Sequence, residues 1–312
     1  MQSDGPNRAT ETCVDGRDAR FVRCSQCGHD RSTTVFARHG FAWQRCERCR
    51  LVRVNPQLTQ ESIGEIYSVG YADKSRTTAG GEMVLPFHRA ILARLTNLCG
   101  SPGRLLDVGC FEGRFLRDAR ELGWEVAGTE ISDQAVAFAR EEHGLDIHLG
   151  PLASHSFPPA SFDAVVLNDV IEHLPDPRGA LEEVARILRP GGSLYVWTPN
   201  FDCPARRVAG PRWGAVIFPW HLYYFTPATL RRMVHETGFA AQSINTRSWL
   251  LDFRDRYGAL KQGHSLPVRP RLVRRGLRVL DAASSPVFNW FDRRGHHWGA
   301  QMELLATRKD RP

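Results

Sequence analysis

Leu105-Leu106-Asp107-Val108-Gly109-Cys110-Phe111-Glu112-Gly113 is the run from which the architecture follows. Four residues of strand character end in a glycine-bearing turn, and a helical run begins at about Gly113. Downstream, short β-rich runs alternate with helical ones. The strands expected are Arg104 to Val108, Glu125 to Glu130, Asp146 to Leu149, Phe162 to Asn168 and Ser193 to Thr198. Helices are expected at about Gly113 to Leu122, Ser132 to His143 and Pro177 to Leu188, with Ser132 and Gly144 as caps of the second and Arg189-Pro190-Gly191-Gly192 ending the third. This alternation predicts an α/β protein with a Rossmann-like parallel sheet covered on both faces, which binds ligands at the carboxyl ends of its strands.

The turn excludes some ligands. A dinucleotide fingerprint needs G-x-G-x-x-G, but after Gly109 the required positions hold Phe111 and Arg114. No G-x-x-x-x-G-K-[ST] run occurs anywhere, so a P-loop is absent. An acid remains at the strand end, Asp107, and a second acid, Glu130, closes the next strand. A carboxylate at that second position can accept both hydroxyls of a ribose.

In these residues the chain resembles the class I S-adenosylmethionine-dependent methyltransferases. Leu105 to Gly113 looks like their acidic-x-Gly-x-Gly-x-Gly motif with Phe111 in place of the middle glycine. Glu130 looks like their ribose-binding acid, Phe162-Asp163-Ala164-Val165-Val166 like their fourth strand, and Ile187-Leu188-Arg189-Pro190-Gly191-Gly192 like the turn before their fifth. The resemblance implies a seven-stranded sheet, with Phe239 to Trp249 and a reversed Gln301 to Lys309 as its last strands. It also implies S-adenosylmethionine held by Asp107, Gly109, Cys110, Gly113, Glu130 and Ile131, with Asn168 and Asp169 contributed from the loop after the fourth strand.

That loop, Asn168-Asp169-Val170-Ile171-Glu172-His173-Leu174-Pro175, carries the first base candidate. Methyl transfer from a sulfonium needs a positioned acceptor and a group to take its proton, and an unperturbed imidazole titrates near neutrality. His173 therefore competes between two roles, general base and loop-shaping residue, and Glu172 could orient its ring. No catalytic metal is expected. Further on, Trp213 and Phe218-Pro219-Trp220-His221-Leu222-Tyr223-Tyr224-Phe225 form an aromatic cluster. Aromatic walls with a few polar tips suit a sugar, polyketide or aryl acceptor, and packing of a cap is the competing reading. The resemblance makes His221 the second base candidate, with Trp213, Tyr223, Tyr224 and the upstream Tyr71 as acceptor contacts.

Eight cysteines occur, and four of them are patterned as Cys24-x2-Cys27 and Cys46-x2-Cys49. Two such knuckles complete a tetrahedron of thiolates around Zn2+ with no open position, so a structural zinc ribbon is expected. Arg23, Arg45, Arg48 and Arg50 flank the ligands and offset their charge. The organisation read from the chain is a disordered stretch at 1–20, the ribbon at 21–56, a helical linker or lid at 57–100, and the methyltransferase domain at 101–312 with a basic helical insertion at about 252–297. Within the linker, Thr59 to Tyr67 and Glu82 to about Leu98 read as helices, the second with Leu85, Ile91, Leu92, Leu95 and Leu98 as its apolar stripe.

Of 312 residues, 41 are Lys or Arg and 34 Asp or Glu, a net charge of +7. The distribution says more than the total: +4 over residues 1–100, −8 over 101–200 and +11 over 201–312. Much of the last excess sits in 269–278, where five arginines fall in ten positions. A basic amphipathic helix there can touch an anionic membrane or phosphate, or simply present a solvated face. With no apolar run of roughly 20 residues and no hydrophobic leader, a cytoplasmic location is expected.

A chain of this resemblance, beginning with paired knuckles, is similar to bacterial methyltransferases of sugar and natural-product pathways. The function expected is methyl transfer to an O or C atom of a small-molecule acceptor: a sugar, lipid-linked glycan or secondary metabolite. The alternative is an rRNA or tRNA methyltransferase in which ribbon and arginine helix hold RNA. It is disfavoured because Asn168-Asp169-Val170 replaces the Asn/Asp-Pro-Pro-Tyr/Phe motif of amino-methylating enzymes.

Overall fold

A computed structural model describes residues 18–38, 40–59, 62, 85–247, 290 and 294–310. Tyr71, residues 63–67 and 68–81, and the arginine-rich 269–280 lie outside the described residues. The chain divides into two compact units, one formed by Tyr67–Trp197, Arg231–Ile244 and Leu304–Pro312, the other by Met1–Ile66, Thr198–Leu230 and Asn245–Glu303.

The first unit holds the strand and helix alternation. Its elements are α1 (Leu85–Cys99), β6 (Arg104–Val108), α2 (Arg114–Glu121), β7 (Glu125–Glu130), α3 (Asp133–His143), β8 (Ile147–Leu149), β9 (Phe162–Asn168) and α4 (Pro177–Ile187), with parts of β10 (Leu188–Pro199), α6 (Pro227–Glu236), β12 (Phe239–Arg247) and β13 (Gln301–Arg308), whose remaining residues are counted in the second. Seven strands make one sheet in the order β12-β13-β10-β9-β6-β7-β8. β6 pairs in parallel with β7 on one side and with β9 on the other. The strand order therefore reverses beside β6, and the crevice at such a reversal is where open α/β sheets receive ligands.

Local chemistry accounts for the element ends. Ser132 Oγ accepts from Ala135 N at 3.3 Å, and Gly144 closes α3 at φ 57°. Asp176 Oδ1 accepts from Gly179 N at 3.0 Å at the start of α4, whose Leu181, Val184 and Ile187 are buried. Arg189-Pro190-Gly191-Gly192 is not simply a helix-ending turn. β10 already begins at Leu188, paired with Phe162, and the register jumps to Ser193 opposite Ala164, so the intervening residues bulge out of the ladder with Gly191 at φ 72°. In α1, Ile91, Leu92 and Leu95 are buried as expected, but Leu98 is 38% exposed. Cys99 turns inward instead, its Sγ against Asp163 O and Ser193 Oγ. A pair with no sequence signal ties α1 to α2: His88 Nδ1 lies 2.6 Å from Asp118 Oδ2, and Arg117 donates to Asp118 Oδ1 at 2.7 Å. The core around β6 contains Leu105, Leu116, Val136, Ile147 and Val166. Each such aliphatic side chain contributes about 1.5–3 kcal/mol on burial.

The second unit contains β1 (Ala19–Arg20) paired with β5 (Gln57–Leu58), and a four-stranded sheet of β2 (Ser32–Arg38), β3 (Phe41–Cys46), β4 (Val52–Asn55) and β11 (Tyr223–Tyr224) in the order β11-β4-β3-β2. All its pairings are antiparallel. A short helix, α5 (Pro204–Ala209), follows β10 in this unit. Among the described residues no helix is long and apolar enough to cross a membrane.

Candidate cofactor cradle and cysteine centre

The turn after β6 is built from three left-handed residues in alternation. Gly109 has φ 69°, Phe111 φ 51° and Gly113 φ 73°. Phe111 thus takes a backbone conformation natural to the glycine it replaces, at a cost of roughly 1–2 kcal/mol for a residue bearing Cβ. What holds it there is Glu130, whose Oε2 accepts Phe111 N at 2.9 Å. Glu130 Oε1 accepts Ile131 N at 2.8 Å and Ser132 N at 2.9 Å. One buried carboxylate thereby ties the β6 turn to the end of β7 through charge-assisted bonds. Gly109 N and Cys110 N both donate to Thr129 O, at 2.8 and 3.1 Å, drawing the turn onto the same strand.

Close packing fixes the remaining positions. A Cβ on Gly109 would lie 2.7 Å from Val170 Cγ2, and one on Gly113 2.5 Å from Leu145 Cδ1. Cys110 turns its thiol into the core, where a Cβ on Gly128 would meet Sγ at 2.7 Å. Burial pushes the Cys110 thiol up, with the nearby Asp107 and Glu130 charges adding to the effect. Asp107 itself is 4% exposed, and burial first, then the charge of Glu130, pushes its carboxyl well above the usual carboxylate range. Val170 and Phe111 N are the parts of this cradle that sequence reading missed. Neither a valine nor a main-chain amide carries a motif.

The loop after β9 packs its Val170 against the β6 turn at Gly109. Asn168 Oδ1 is a buried acceptor with no partner among the described residues. Asp169 sits at φ 56° with its N donating to Trp197 O at 2.9 Å. Glu172 is 1% exposed, and His173 N donates to Val170 O at 2.9 Å, so the loop turns back on itself as it carries that imidazole. Of the expected site residues, Asp107, Gly109, Cys110, Gly113, Glu130, Ile131, Asn168, Asp169, Glu172 and His173 belong to the first unit.

Trp213, His221, Tyr223 and Tyr224 belong to the second, and each is 2–3% exposed. His221 N donates to Ile217 O at 2.8 Å, and its ring lies 6.0 Å from that of Tyr224. Trp213 and Tyr224 share a core with Phe41, Trp43, Val52, Val54 and Phe201. The four cysteines meet in this unit. Their sulfurs lie within 4.8 Å of one another, with Cys24 and Cys49 at 3.3 Å and Cys27 and Cys46 at 3.6 Å. A 2.3 Å metal-sulfur bond at tetrahedral angles separates sulfurs by about 3.8 Å, so the four fit one tetrahedral ion. The knuckles already favour a thiolate: Cys49 bonding to the Cys24 sulfur, then backbone contacts at Gln26 and Cys27, bring Cys24 down to about 5. The same bond pushes Cys49 up.

Comparison with known proteins fits the β6 turn and the sheet order. A family profile described as a methyltransferase domain matches residues 85–244. The chain belongs to this methyltransferase family. It is 33% identical over 157 residues to a probable S-adenosylmethionine-dependent methyltransferase of Mycolicibacterium smegmatis, covering 50% of this chain and 58% of that one. It is 31% identical over 160 residues to a ubiquinone biosynthesis O-methyltransferase of an Azoarcus species, covering 47% and 69%. The chain thus spans little more than half the length of the first of these curated relatives. Among solved structures, an S-adenosylmethionine-dependent methyltransferase from Archaeoglobus fulgidus superposes with a TM-score of 0.51 at 20% identity, covering 76% of this chain and 99% of that one. The [4+2]-cyclase SpnF superposes at 0.55 and 22%, covering 82% and 99%. At those identities the likeness is one of fold alone, and it places the methyltransferase domain in the class I architecture.

Proposed function

We propose that this methyltransferase transfers a methyl group from S-adenosylmethionine to an O or C atom of a small-molecule acceptor. The observation that carries the cofactor half is the Glu130 clamp. A buried carboxylate at the end of β7, bonded to a turn with three alternating left-handed positions, is an acceptor that suits a ribose with two adjacent hydroxyls. Asn168 Oδ1, a buried acceptor without a partner among the described residues at the end of β9, and the 46% exposed Ile131, an apolar surface for an adenine ring, also support this reading. When bound, the cofactor supplies an electrophilic methyl on a sulfonium. The chain's own task is to hold the acceptor in line and to take its proton, for which His173, oriented by Glu172, and His221 are the candidate bases. The ubiquinone O-methyltransferase relative supports a small-molecule acceptor, with Tyr71, Trp213, Tyr223 and Tyr224 as its proposed contacts.

The four cysteines are proposed to hold one structural zinc, since their separations fit its tetrahedron and leave no open position. The test of the cofactor assignment is S-adenosylmethionine binding by calorimetry. Glu130→Ala should weaken it by about 10- to 100-fold, the loss of one to two charge-assisted hydrogen bonds. Unchanged affinity in a variant that melts like the parent would overturn the ribose assignment.

A further inference from the structure

The cysteine centre does not stand as an appendage beside the segment that carries the proposed acceptor residues. β11 is the outer strand of the ribbon's own sheet, with Tyr223 opposite Arg53 and Tyr224 opposite Val52. Val54 N donates to Leu222 O at 2.9 Å, extending the pairing by one step toward His221. Side chains repeat the connection. Phe41 meets Phe218 in a tilted pair with ring centroids 4.2 Å apart, and Trp43 meets Phe218 at 6.1 Å and Tyr224 at 6.3 Å. β3 ends in Cys46, and Cys46 N donates to Leu51 O at 2.9 Å, so the second knuckle is the turn that joins β3 to β4. A metal at the knuckles therefore fixes the hairpin on which residues 213–225 are laid.

From this arrangement we infer that Cys24, Cys27, Cys46 and Cys49 are positioning residues for the acceptor arm: the metal they hold sets the conformation of residues 213–225, and with it His221 and Tyr223. The inference rests on the zinc and acceptor assignments above. The energetics favour it. The four strands have two to seven residues each, and in a sheet this small a metal that ties the β3–β4 turn to the first knuckle orders a large share of the backbone. The residues of the cofactor cradle belong to the other unit and share no strand of the four-stranded sheet.

The experiment is amide hydrogen exchange on the full-length chain, before and after removal of zinc with a chelator, with metal content measured in parallel. Peptides covering 213–225 should exchange at least about tenfold faster in the metal-free protein, while peptides covering 105–113 and 125–132 should change less than about twofold. Trp43→Ala, which keeps all four cysteines, should accelerate exchange in 213–225 while retaining one zinc per chain. Calorimetry should give the same S-adenosylmethionine affinity for the zinc-bound and metal-free chains. Unaltered exchange at 213–225 on zinc removal overturns the proposal, as does a chain that protects 213–225 without ever holding metal. Loss of protection throughout the chain also overturns it, because the metal would then be a global staple. None of the exchange readouts depends on turnover, so a failed methyltransferase assay would count against the function while leaving this result intact.

Discussion

Asp107 and Glu130 are two buried acids with different hydrogen-bonding surroundings. Glu130 receives three main-chain N–H groups, whereas burial raises Asp107 far above its ordinary value. A raised carboxyl binds a proton in the native state that the unfolded chain has already released. Stability therefore falls as pH rises from the ordinary carboxylate range toward the folded pKa. Asp107→Asn should remove that slope: the melting temperature of the variant minus that of the parent should grow as pH is raised from about 4.5 upward, in ligand-free protein. Parallel melting curves across pH would show that Asp107 is ionised in the fold. At this scale the sequence was informative about identity and silent about geometry. The two acids could be picked out by their spacing from Gly109. That Phe111 would adopt a glycine-like φ could not, because a tertiary hydrogen bond to Glu130 imposes that angle.

Among the elements, the β6 turn is the most constrained. Gly109 combines a left-handed backbone with a neighbour, Val170, whose methyl would sit 2.7 Å from any added Cβ. Gly109→Ala should destabilise the domain by about 1–3 kcal/mol in denaturant titration, of which the conformational part is roughly 1 kcal/mol. Adding Val170→Ala should relieve the steric part and leave the conformational part. A strictly additive double mutant would mean the two residues do not touch. Helices with local caps, such as α3, were legible because Ser132 and Gly144 act within a few residues of what they terminate. The start of β10 was not. Arg189 to Gly192 spell a helix stop, yet Leu188 is recruited into the sheet by Phe162, a partner on another strand.

Taken whole, the chain places its acidic middle, −8 over residues 101–200, around the proposed cofactor cradle, and its paired knuckles in a unit completed by residues from beyond β10. The order β12-β13-β10-β9-β6-β7-β8 was readable as a class because alternating strands and helices allow few other sheets. The cysteine centre was readable from spacing alone. Its sharing of a sheet with Tyr223 and Tyr224 was not, since a pairing across so much intervening chain leaves no periodic trace near either partner. The aromatic run at 218–225 allowed two readings, an acceptor wall or the packing of a cap, and Leu222, Tyr223, Tyr224 and Phe225 are buried.

That shared sheet also bears on how the protein is made. The knuckles and β2 to β4 leave the ribosome early, but the strand that covers the edge of β4 is synthesised only after most of the methyltransferase domain. During that interval β4 presents unpaired main-chain groups, a template for association with other nascent chains. Early capture of metal would order the hairpin, while its open edge would still wait for residue 223 to arrive.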